Sequence, residues 1–311
     1  MAIVKTDVPM TSGLAWRTIR ELGQTYPFLG VETLVWTAFG RPLQVLTLGT
    51  GEKRVFFSAA HHANEWITAP VLLKFMEELA SASVRGESLE GQNIKALLKA
   101  VTVYALPMVN PDGVDLVTGA TGPDSPQYDR AAALAADYPD IPFPAGWKAN
   151  LNGVDLNLQY PAGWRQAREI KFRKGYRTPG PRDFVGQSPL NQRESFALAR
   201  FTDRINPALA VALHSQGRVI YWQFENIQVP GAEELGRKMA AVSGYALADT
   251  PYTSSFAGYK DWFIRAFRRP GYTVEVGRGE NPLPLSQFDE IYDSVRKILI
   301  TAASGVGSGA L

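Results

Sequence analysis

The chain has 311 residues, of which 45% are hydrophobic, so it can bury a large core. Its formal charge of +2, from 32 basic and 30 acidic residues, gives no long-range attraction to nucleic acid or to an anionic membrane, so a small substrate is expected. The lack of cysteine excludes disulfides and thiolate metal sites, so a tightly held transition metal would have to use His, Asp and Glu.

The N-terminal segment does not resemble a secretory signal. It carries Lys5, Asp7 and Arg17 and never forms a continuous apolar stretch. No later stretch has the roughly 18 apolar residues that a membrane-spanning helix requires. We therefore expect a cytoplasmic protein.

Strand-like and helix-like segments alternate along the chain, which is typical of a sheet covered by helices. The runs Glu32–Phe39 and Pro42–Leu48 flank Gly40-Arg41 and predict an antiparallel hairpin with a two-residue turn. The later predicted elements are strand Arg54–Ala59, helix Glu65–Leu79, strand Val101–Val109, helix Arg193–Arg204, strands Ala208–Leu213 and Arg218–Phe224, helix Ala232–Val242, strand Tyr272–Val276 and helix Leu285–Ala302. The pattern predicts an α/β fold, which we interpret as one catalytic domain over residues 1–311.

Two regions break this alternation. Residues 113–190 contain nine Pro and nine Gly. Because a long irregular stretch inside a compact domain is more often functional than a linker, we expect it to wall a substrate cleft. At the C-terminus, Gly305–Leu311 predicts a flexible tail.

The three histidines are placed unusually. His61 and His62 are adjacent at the end of a predicted strand, and Glu65 follows where a helix begins. A histidine and a carboxylate three residues apart share one face of a helix and can point toward one ion. His61 lies four residues from Glu65, and spacing alone leaves it open as the ligand. The alternative is a capped helix start, with His61 beside the site or facing solvent.

The third histidine strengthens the metal hypothesis. His214 ends an apolar run at 209–213, so it too lies at a predicted strand end, where sites in α/β sheets assemble. Two histidines and one glutamate with an open fourth position are a known ligand set for catalytic zinc. His214 alone could be a core histidine bonded to backbone. The three residues together predict a site for one zinc ion per chain.

Hydrolysis at a zinc site also needs a base that accepts a proton from water and passes it to the leaving amine. Glu275 lies within an apolar strand, and a lone carboxylate there is costly unless it is paired or functional. The alternative is a structural ion pair with Arg268, Arg269 or Arg278. Considered with the histidines, Glu275 is predicted to be the general base.

Five ordered motifs resemble the zinc carboxypeptidases related to pancreatic carboxypeptidase A. They are His62-Ala63-Asn64-Glu65-Trp66, Asn110-Pro111-Asp112-Gly113, Gly153-Val154-Asp155-Leu156-Asn157, Leu213-His214-Ser215 and Glu275. The resemblance implies a mixed, twisted eight-stranded sheet between helices. It also implies zinc binding by His62, Glu65 and His214 and water activation by Glu275, and it selects His62 over His61.

The sequence departs from the digestive members of that family at two positions. Asn157 is followed by Leu158, where those enzymes have an arginine that grips the terminal carboxylate of the substrate. Leucine cannot imitate that two-pronged contact, so ordinary C-terminal trimming is expected to be weak or differently organised. Lys148 stands where the family usually has an arginine facing the developing oxyanion, and it can still supply positive charge. The alternative interpretation of Lys148 is a surface lysine in contact with solvent.

The strings at 148–157 and 275–284 look like bacterial γ-D-glutamyl-L-diamino acid endopeptidases. That subgroup cuts cell-wall peptides between D-Glu, linked through its side-chain carboxylate, and meso-diaminopimelate or lysine. The resemblance implies a muropeptide substrate. Secreted members often carry cell-wall-binding repeats, and since neither these nor a secretory signal is recognised here, we expect a cytoplasmic role in muropeptide recycling or in the wall metabolism of a sporulating cell. The predicted substrate-binding residues are Asn157, Tyr252, which resembles the mobile tyrosine of the family at one residue longer spacing, and Arg278, which is otherwise a surface arginine.

Three other functions remain open. A carboxypeptidase with unusual C-terminal specificity would use the same metal site. A zinc-dependent deacylase shares the His-x-x-Glu and later His pattern, although the motifs at 110–113 and 153–157 argue against it. A wall-peptide binding protein without catalysis would keep the fold, but the intact Glu275 argues against that. The oligomeric state and the preferred diamino acid are not predicted.

Overall fold

The computed structural model describes residues 2–309. The strands are β1 (Gly30–Trp36), β2 (Pro42–Leu48), β3 (Lys53–Ala59), β4 (Ser88–Leu89), β5 (Gln92–Asn93), β6 (Val101–Leu106), β7 (Leu209–Ser215), β8 (Val219–Tyr221), β9 (Ala246–Ala248) and β10 (Gly271–Val276). The helices are α1 (Ser12–Thr25), α2 (Thr68–Arg85), α3 (Ile94–Ala100), α4 (Pro111–Val117), α5 (Pro126–Ala135), α6 (Trp164–Arg173), α7 (Arg193–Ile205), α8 (Ala232–Ser243), α9 (Tyr259–Phe267) and α10 (Phe288–Gly307).

Eight of the strands form one mixed sheet in the order β1-β2-β6-β3-β7-β10-β8-β9, while β4 and β5 form a small separate hairpin. The four central strands run parallel, and antiparallel pairing begins with β2 on one side and β8 on the other. From β3 the chain turns through α2 to β6, whereas β7 lies on the opposite side of β3. Sites in α/β sheets form at such a switch point, outside the carboxyl ends of the strands. The predicted mixed eight-stranded sheet is confirmed.

Helices cover both faces of the sheet, because side chains of a buried strand alternate between its faces. In the central strands, Phe57, Val211 and Leu213 pack toward α1, α2, α3, α8 and α10, which form the larger core. Phe56 and Ala212 pack on the opposite face with α6, α7 and α9. Continuing this alternation, the next side chain of β7 after Ala212 on that second face is that of residue 214. No helix within residues 2–309 is long and apolar enough to cross a membrane.

The hairpin turn is longer than predicted. Strand β1 ends at Trp36, and the backbone N–H of Thr37 donates to the carbonyl of Arg41. The Thr37 hydroxyl oxygen accepts from the N–H groups of Phe39 and Arg41, so it stabilises a five-residue loop. The prediction of a two-residue turn was wrong because the threonine at the loop start makes hydrogen bonds that replace those of the strand ladder.

The structure contains helices at positions where the sequence analysis predicted a loop region or no element. Helices α5 and α6 lie within 113–190, and α5 begins with Ser125 as its cap and Pro126 as its first residue. Helix α1 was also missed, although Thr11 caps it and its Ser12 is anchored by two hydrogen bonds to Asp115. Helix α9 was missed too. The capping residues of α1 and α5 were an available signal, whereas α6 and α9 begin after glycines that supply no side-chain cap.

The flexible C-terminal tail needs a correction. Helix α10 continues through Gly307, and Val306 is buried in the larger core. The Lys53 ammonium donates to the Val306 carbonyl at 2.8 Å, which satisfies a group at the helix end. The prediction is therefore wrong for residues 305–307, while Ala310 and Leu311 lie outside the described residues.

The Asn-Pro-Asp-Gly motif holds two parts of the site together. The Asn110 side-chain amide donates to the carbonyls of His61, Lys148 and Ala149, and its oxygen caps α4 by accepting from Gly113. A side chain at Gly113 would lie 2.6 Å from the Ala149 carbonyl oxygen, so only glycine fits there. The motif thus fixes the turn after β3 against the segment that carries Lys148.

Asp112 of the same motif predicts a pH-dependent stability. Burial raises the pKa of Asp112 to about 7 from its ordinary value of 3.8, although it accepts a hydrogen bond from Thr37. Between these two pH values the folded protein holds a proton that the unfolded chain has lost, so the free energy of unfolding falls as pH rises. We expect Asp112→Asn to match wild type near pH 4 and to be more stable by about 2–4 kcal/mol at pH 8.

Urea unfolding of the metal-free protein at both pH values measures this difference. The matched control is Asp137→Asn, which changes an exposed aspartate. Equal stability of Asp112→Asn and wild type at pH 8 would show that the buried carboxyl has no such effect.

Candidate metal centre and active site

His62, Glu65 and His214 converge at the carboxyl ends of β3 and β7, and their ligand atoms all lie within 4.8 Å of one another. His62 follows β3, Glu65 ends a 3₁₀ turn over Ala63–Glu65 before α2, and His214 is the penultimate residue of β7. Glu65 and His214 are buried, and His62 is half-buried. The structure thus brings together three residues that are up to 152 positions apart in sequence.

The two histidines face the same carboxylate. The Nδ1 atoms of His62 and His214 lie 2.9 Å from the two oxygens of Glu65 and 3.3 Å from each other. The Ser215 backbone N–H also donates to Glu65, at 3.1 Å. Two imidazoles and one carboxylate, buried and directed at one point, are the donor set of a catalytic zinc site. These residues therefore fit a zinc ion.

Asp155 holds the far side of His62. Its Oδ1 lies 3.2 Å from His62 Nε2, and its carboxylate accepts from the backbone N–H groups of Asn157 and Asp183. A carboxylate on the second nitrogen orients a ligand histidine and increases its basicity. Burial alone would lower the pKa of His62, but Glu65 and Asp155 raise it to about 9. Asp155 was missed, although its motif at 153–157 was recognised.

His61 packs behind the metal group. It is fully buried, its ring stacks on that of His214 with centroids 5.4 Å apart, and its Nε2 lies 3.4 Å from the Tyr160 hydroxyl. Burial and the other histidines lower the pKa of His61, so the ring is neutral. The interpretation of His61 as solvent-facing is wrong. In the described part of the chain, the metal group contains His62 and not His61.

Glu275 lies beside His214, because parallel pairing of β10 with β7 places the two residues in direct register. Burial and the Glu65 carboxylate raise the pKa of Glu275 to about 8. The alternative of an ion pair with arginine is not found among residues 2–309, where Arg269 instead donates to the backbone of Asn206. Glu275 is half-buried and lines the same cavity as the metal group.

Lys148 contacts the metal group directly. Its Nζ lies 2.9 Å from Glu65 Oε1, and its side chain is only 17% exposed. Burial alone would lower the pKa of Lys148, but Glu65 raises it above its usual value, so the ammonium stays charged. The interpretation of Lys148 as a solvated surface residue is wrong.

A cavity of about 780 Å³ opens over these residues, and the region 113–190 supplies much of its wall. Asn157 lines it and ties the wall to α9 by accepting from the Tyr259 backbone N–H at 3.0 Å. Tyr252 and Arg278 are exposed, and neither is among the described residues that line the cavity. Tyr252 is 70% exposed and packs against Phe256. The structure does not bring these two predicted residues to the metal group.

The cavity also contains charged residues that no sequence motif identified. They are Asp140, Lys171, Arg182, Asp183, Lys260 and Asp261. Lysine and arginine together occur 32 times, so composition cannot single out these cations. For the residues between 113 and 190, the available signal was their position in the predicted cleft region; Lys260 and Asp261 had no such signal.

Comparison with known proteins shows which family the chain belongs to. A family model described as zinc carboxypeptidase matches residues 16–297. The chain is 41% identical over 282 residues to gamma-D-glutamyl-L-diamino acid endopeptidase 1 of Lysinibacillus sphaericus, a match that covers 91% of this chain and 69% of that protein. It is 36% identical over 286 residues to uncharacterized protein YqgT of Bacillus subtilis (strain 168), a match that covers 91% of this chain and 74% of that protein.

Solved structures show the same fold at low sequence identity. Bovine thrombin-activatable fibrinolysis inhibitor matches with a TM-score of 0.74 at 17% identity, over 98% of this chain and 99% of that chain. Carboxypeptidase A from Helicoverpa armigera matches with a TM-score of 0.69 at 19% identity, over 96% and 75%. The fold, the donor set and the family match over most of the sequence lead to one conclusion: the chain belongs to the zinc carboxypeptidase family and is a zinc metallopeptidase.

Proposed function

We propose that this protein hydrolyses the bond between a γ-D-glutamyl residue and an L-diamino acid in peptidoglycan-derived peptides. The main support for a zinc-dependent hydrolase is structural: His62, Glu65 and His214 converge in one cavity with Glu275 and Lys148. The choice of bond is supported by 41% identity over 282 residues to a relative named for this activity. We also propose muropeptides as substrates and a cytoplasmic location, which fractionation of the producing cells tests.

The proposed roles of the residues follow from their positions. Zinc held by His62, Glu65 and His214 would polarise the scissile carbonyl and activate water. Glu275 accepts the proton of the attacking water and passes it to the leaving amine. The carboxyl of Glu275 lies in the same cavity as the metal group, so it can exchange protons with a water held there. Lys148 contributes positive charge where the tetrahedral oxyanion develops.

Glu65 limits how Lys148 can act. The ammonium contacts one oxygen of the carboxylate while Ser215 and His214 contact the other, so Lys148 also helps to fix the metal ligand. An ammonium has three N–H donors, which leaves donors of Lys148 for a substrate oxygen. Its charge therefore serves both ligand placement and oxyanion stabilisation in this proposal.

The function is tested with the free tetrapeptide L-Ala-γ-D-Glu-meso-diaminopimelate-D-Ala and its lysine counterpart, using zinc-loaded protein and mass spectrometry of the products. We expect L-Ala-D-Glu and the diamino acid-D-Ala dipeptide. Release of D-Ala alone would identify a carboxypeptidase instead. No cleavage of either peptide would contradict the proposed function.

The role of Lys148 predicts a selective loss of turnover. Lys148→Met is expected to lower kcat by about 10²–10³-fold with a smaller change in KM, since an oxyanion contact is made mainly in the transition state. Lys148→Arg, which keeps the charge, should lose less. Steady-state kinetics with zinc content measured for each variant checks this, and Lys174→Met at an exposed lysine is the control. An unchanged kcat in Lys148→Met at full zinc content would remove Lys148 from the reaction.

A further inference from the structure

We propose that Arg182 binds a carboxylate of the substrate through its two terminal guanidinium nitrogens; this inference rests on the proposed function and deepens it. Arg182 lines the cavity that contains the metal group, and its side chain is 39% exposed. Within residues 2–309, its Nε is the one guanidinium nitrogen with a hydrogen-bond partner, Asp183 Oδ2 at 2.8 Å. The two nitrogens that form a fork for a carboxylate are therefore free.

The guanidinium is held in place by a buried anchor. Lys171 on α6 pairs with the other carboxylate oxygen of Asp183, and both residues are buried. The Asp183 backbone N–H donates to Asp155, which itself contacts the ligand His62. Arg182 is thus connected to the metal group through two residues. A preorganised arginine loses less conformational entropy when it binds an anion.

The charge balance of this anchor favours an anionic ligand. Lys171 and Arg182 are two cations against the single carboxylate of Asp183, since Asp155 is already engaged with His62. Within this cluster the cations therefore exceed the carboxylates by one charge, although Asp140, Glu275 and Glu280 line other parts of the same cavity. Asp183 raises the pKa of Arg182 despite the opposing effect of burial, so the charge is permanent. A charge in a partly water-excluded cleft attracts a substrate anion more strongly than one on the surface.

Arg182 lies on the same wall as the reacting groups. The carbonyl of the preceding residue, Pro181, accepts from the backbone N–H groups of Lys148 and Ala149. Leu158 also lines the cavity and offers no charge, although the digestive enzymes resembled by this sequence carry a carboxylate-gripping arginine there. Arg182 can supply that missing contact from a different segment of the chain.

Lys260, another cation of the cavity, is less suited to this role. Its ammonium donates to the Gln223 carbonyl and the Thr250 hydroxyl and lies 2.8 Å from Asp261. These three partners occupy the three N–H donors of a lysine. Binding a substrate carboxylate would require breaking one of them, whereas the fork of Arg182 is available.

A γ-D-glutamyl peptide that ends in the diamino acid carries two carboxylates near the scissile amide. One is the α-carboxylate of D-Glu on the acyl side, and the other is the α-carboxylate of the diamino acid on the amine side. Both present the same two-oxygen acceptor to Arg182. The test therefore uses L-Ala-γ-D-Glu-L-Lys together with two analogues, each with one of these carboxylates converted to the amide.

Wild type, Arg182→Gln and Arg182→Lys are compared in kcat/KM on the three peptides, with Arg165→Gln at an exposed arginine of α6 as the matched control. We expect wild type and Arg165→Gln to cleave the unmodified peptide about 10–100-fold better than one of the two amide analogues, the worth of a charge-assisted contact. Arg182→Gln should lose this preference and leave any preference over the second analogue unchanged. Arg182→Lys should retain part of the first preference. The amide that distinguishes the variants identifies the carboxylate bound.

A merely structural role gives a different result. If Arg182→Gln lowers kcat/KM equally on all three peptides, or leaves every preference unchanged, the proposal is overturned. Binding provides a readout independent of turnover. The dissociation constants of the three peptides are measured for the zinc-loaded Glu275→Gln protein and for the double variant that also carries Arg182→Gln. If wild type cleaves none of the peptides, the proposed function fails, but the loss of carboxylate preference in these constants still tests Arg182.

Discussion

Replacement of Glu275 by glutamine is expected to lower kcat by about 10³–10⁴-fold while zinc binding stays intact. The amide has nearly the shape of the carboxylate but cannot accept a proton from water or return one to the leaving amine. Glu275 contacts the site from β10 and is not a member of the metal group, so its loss should leave His62, Glu65 and His214 in place. Steady-state kinetics and atomic absorption on the same preparations measure both quantities.

Glu280→Gln is the matched control, because Glu280 lines the same cavity but is exposed. It should keep activity within a few-fold of wild type. Turnover of Glu275→Gln at the wild-type rate would remove Glu275 from the mechanism. A loss of zinc in that variant would instead place the carboxylate among the ligands.

Replacement of His214 by alanine is expected to reduce zinc affinity more than the roughly 10–100-fold that follows loss of a residue that only orients a ligand. His214 supplies one of the three protein donors in the metal group of the described residues, and it is buried there. Titration of the variant against a chromophoric chelator gives the affinity. Activity should fall in parallel and recover only at high free zinc, if at all.

His61→Phe is the control for the histidine pair. It keeps an aromatic ring stacked behind His214 and should retain zinc at one ion per chain. Full zinc stoichiometry and wild-type affinity in His214→Ala would contradict the ligand assignment. Loss of zinc from His61→Phe, with a folded protein by circular dichroism, would question the choice of His62.

The metal group could be predicted from sequence because its signal is local and rare. The chain has three histidines. They lie at two strand ends, after β3 and in β7, and both strands are visible in the sequence as apolar runs. Glu275 could be predicted for a related reason, since a carboxylate within an apolar strand is unusual. The resemblance then decided between His61 and His62, which spacing could not.

The wall of the cavity could not be predicted in the same way. Arg182 and Lys171 matter because a loop and a helix meet at Asp183, and nothing in the local sequence encodes that meeting. Tyr252 was predicted by analogy at one residue longer spacing, and its loop leaves it exposed and away from the metal group, so its role stays a prediction. Loops are less determined by sequence pattern than strands, because their positions depend on contacts distant in sequence.

The most direct test of the central claim is a crystal structure of the zinc-loaded protein with anomalous data collected at the zinc absorption edge. One strong peak within bonding distance of His62 Nδ1, His214 Nδ1 and the Glu65 carboxylate is predicted, with Glu275 close to the ion but not bonded to it. A peak elsewhere, or no ordered zinc in the cavity at saturating metal, would contradict the account.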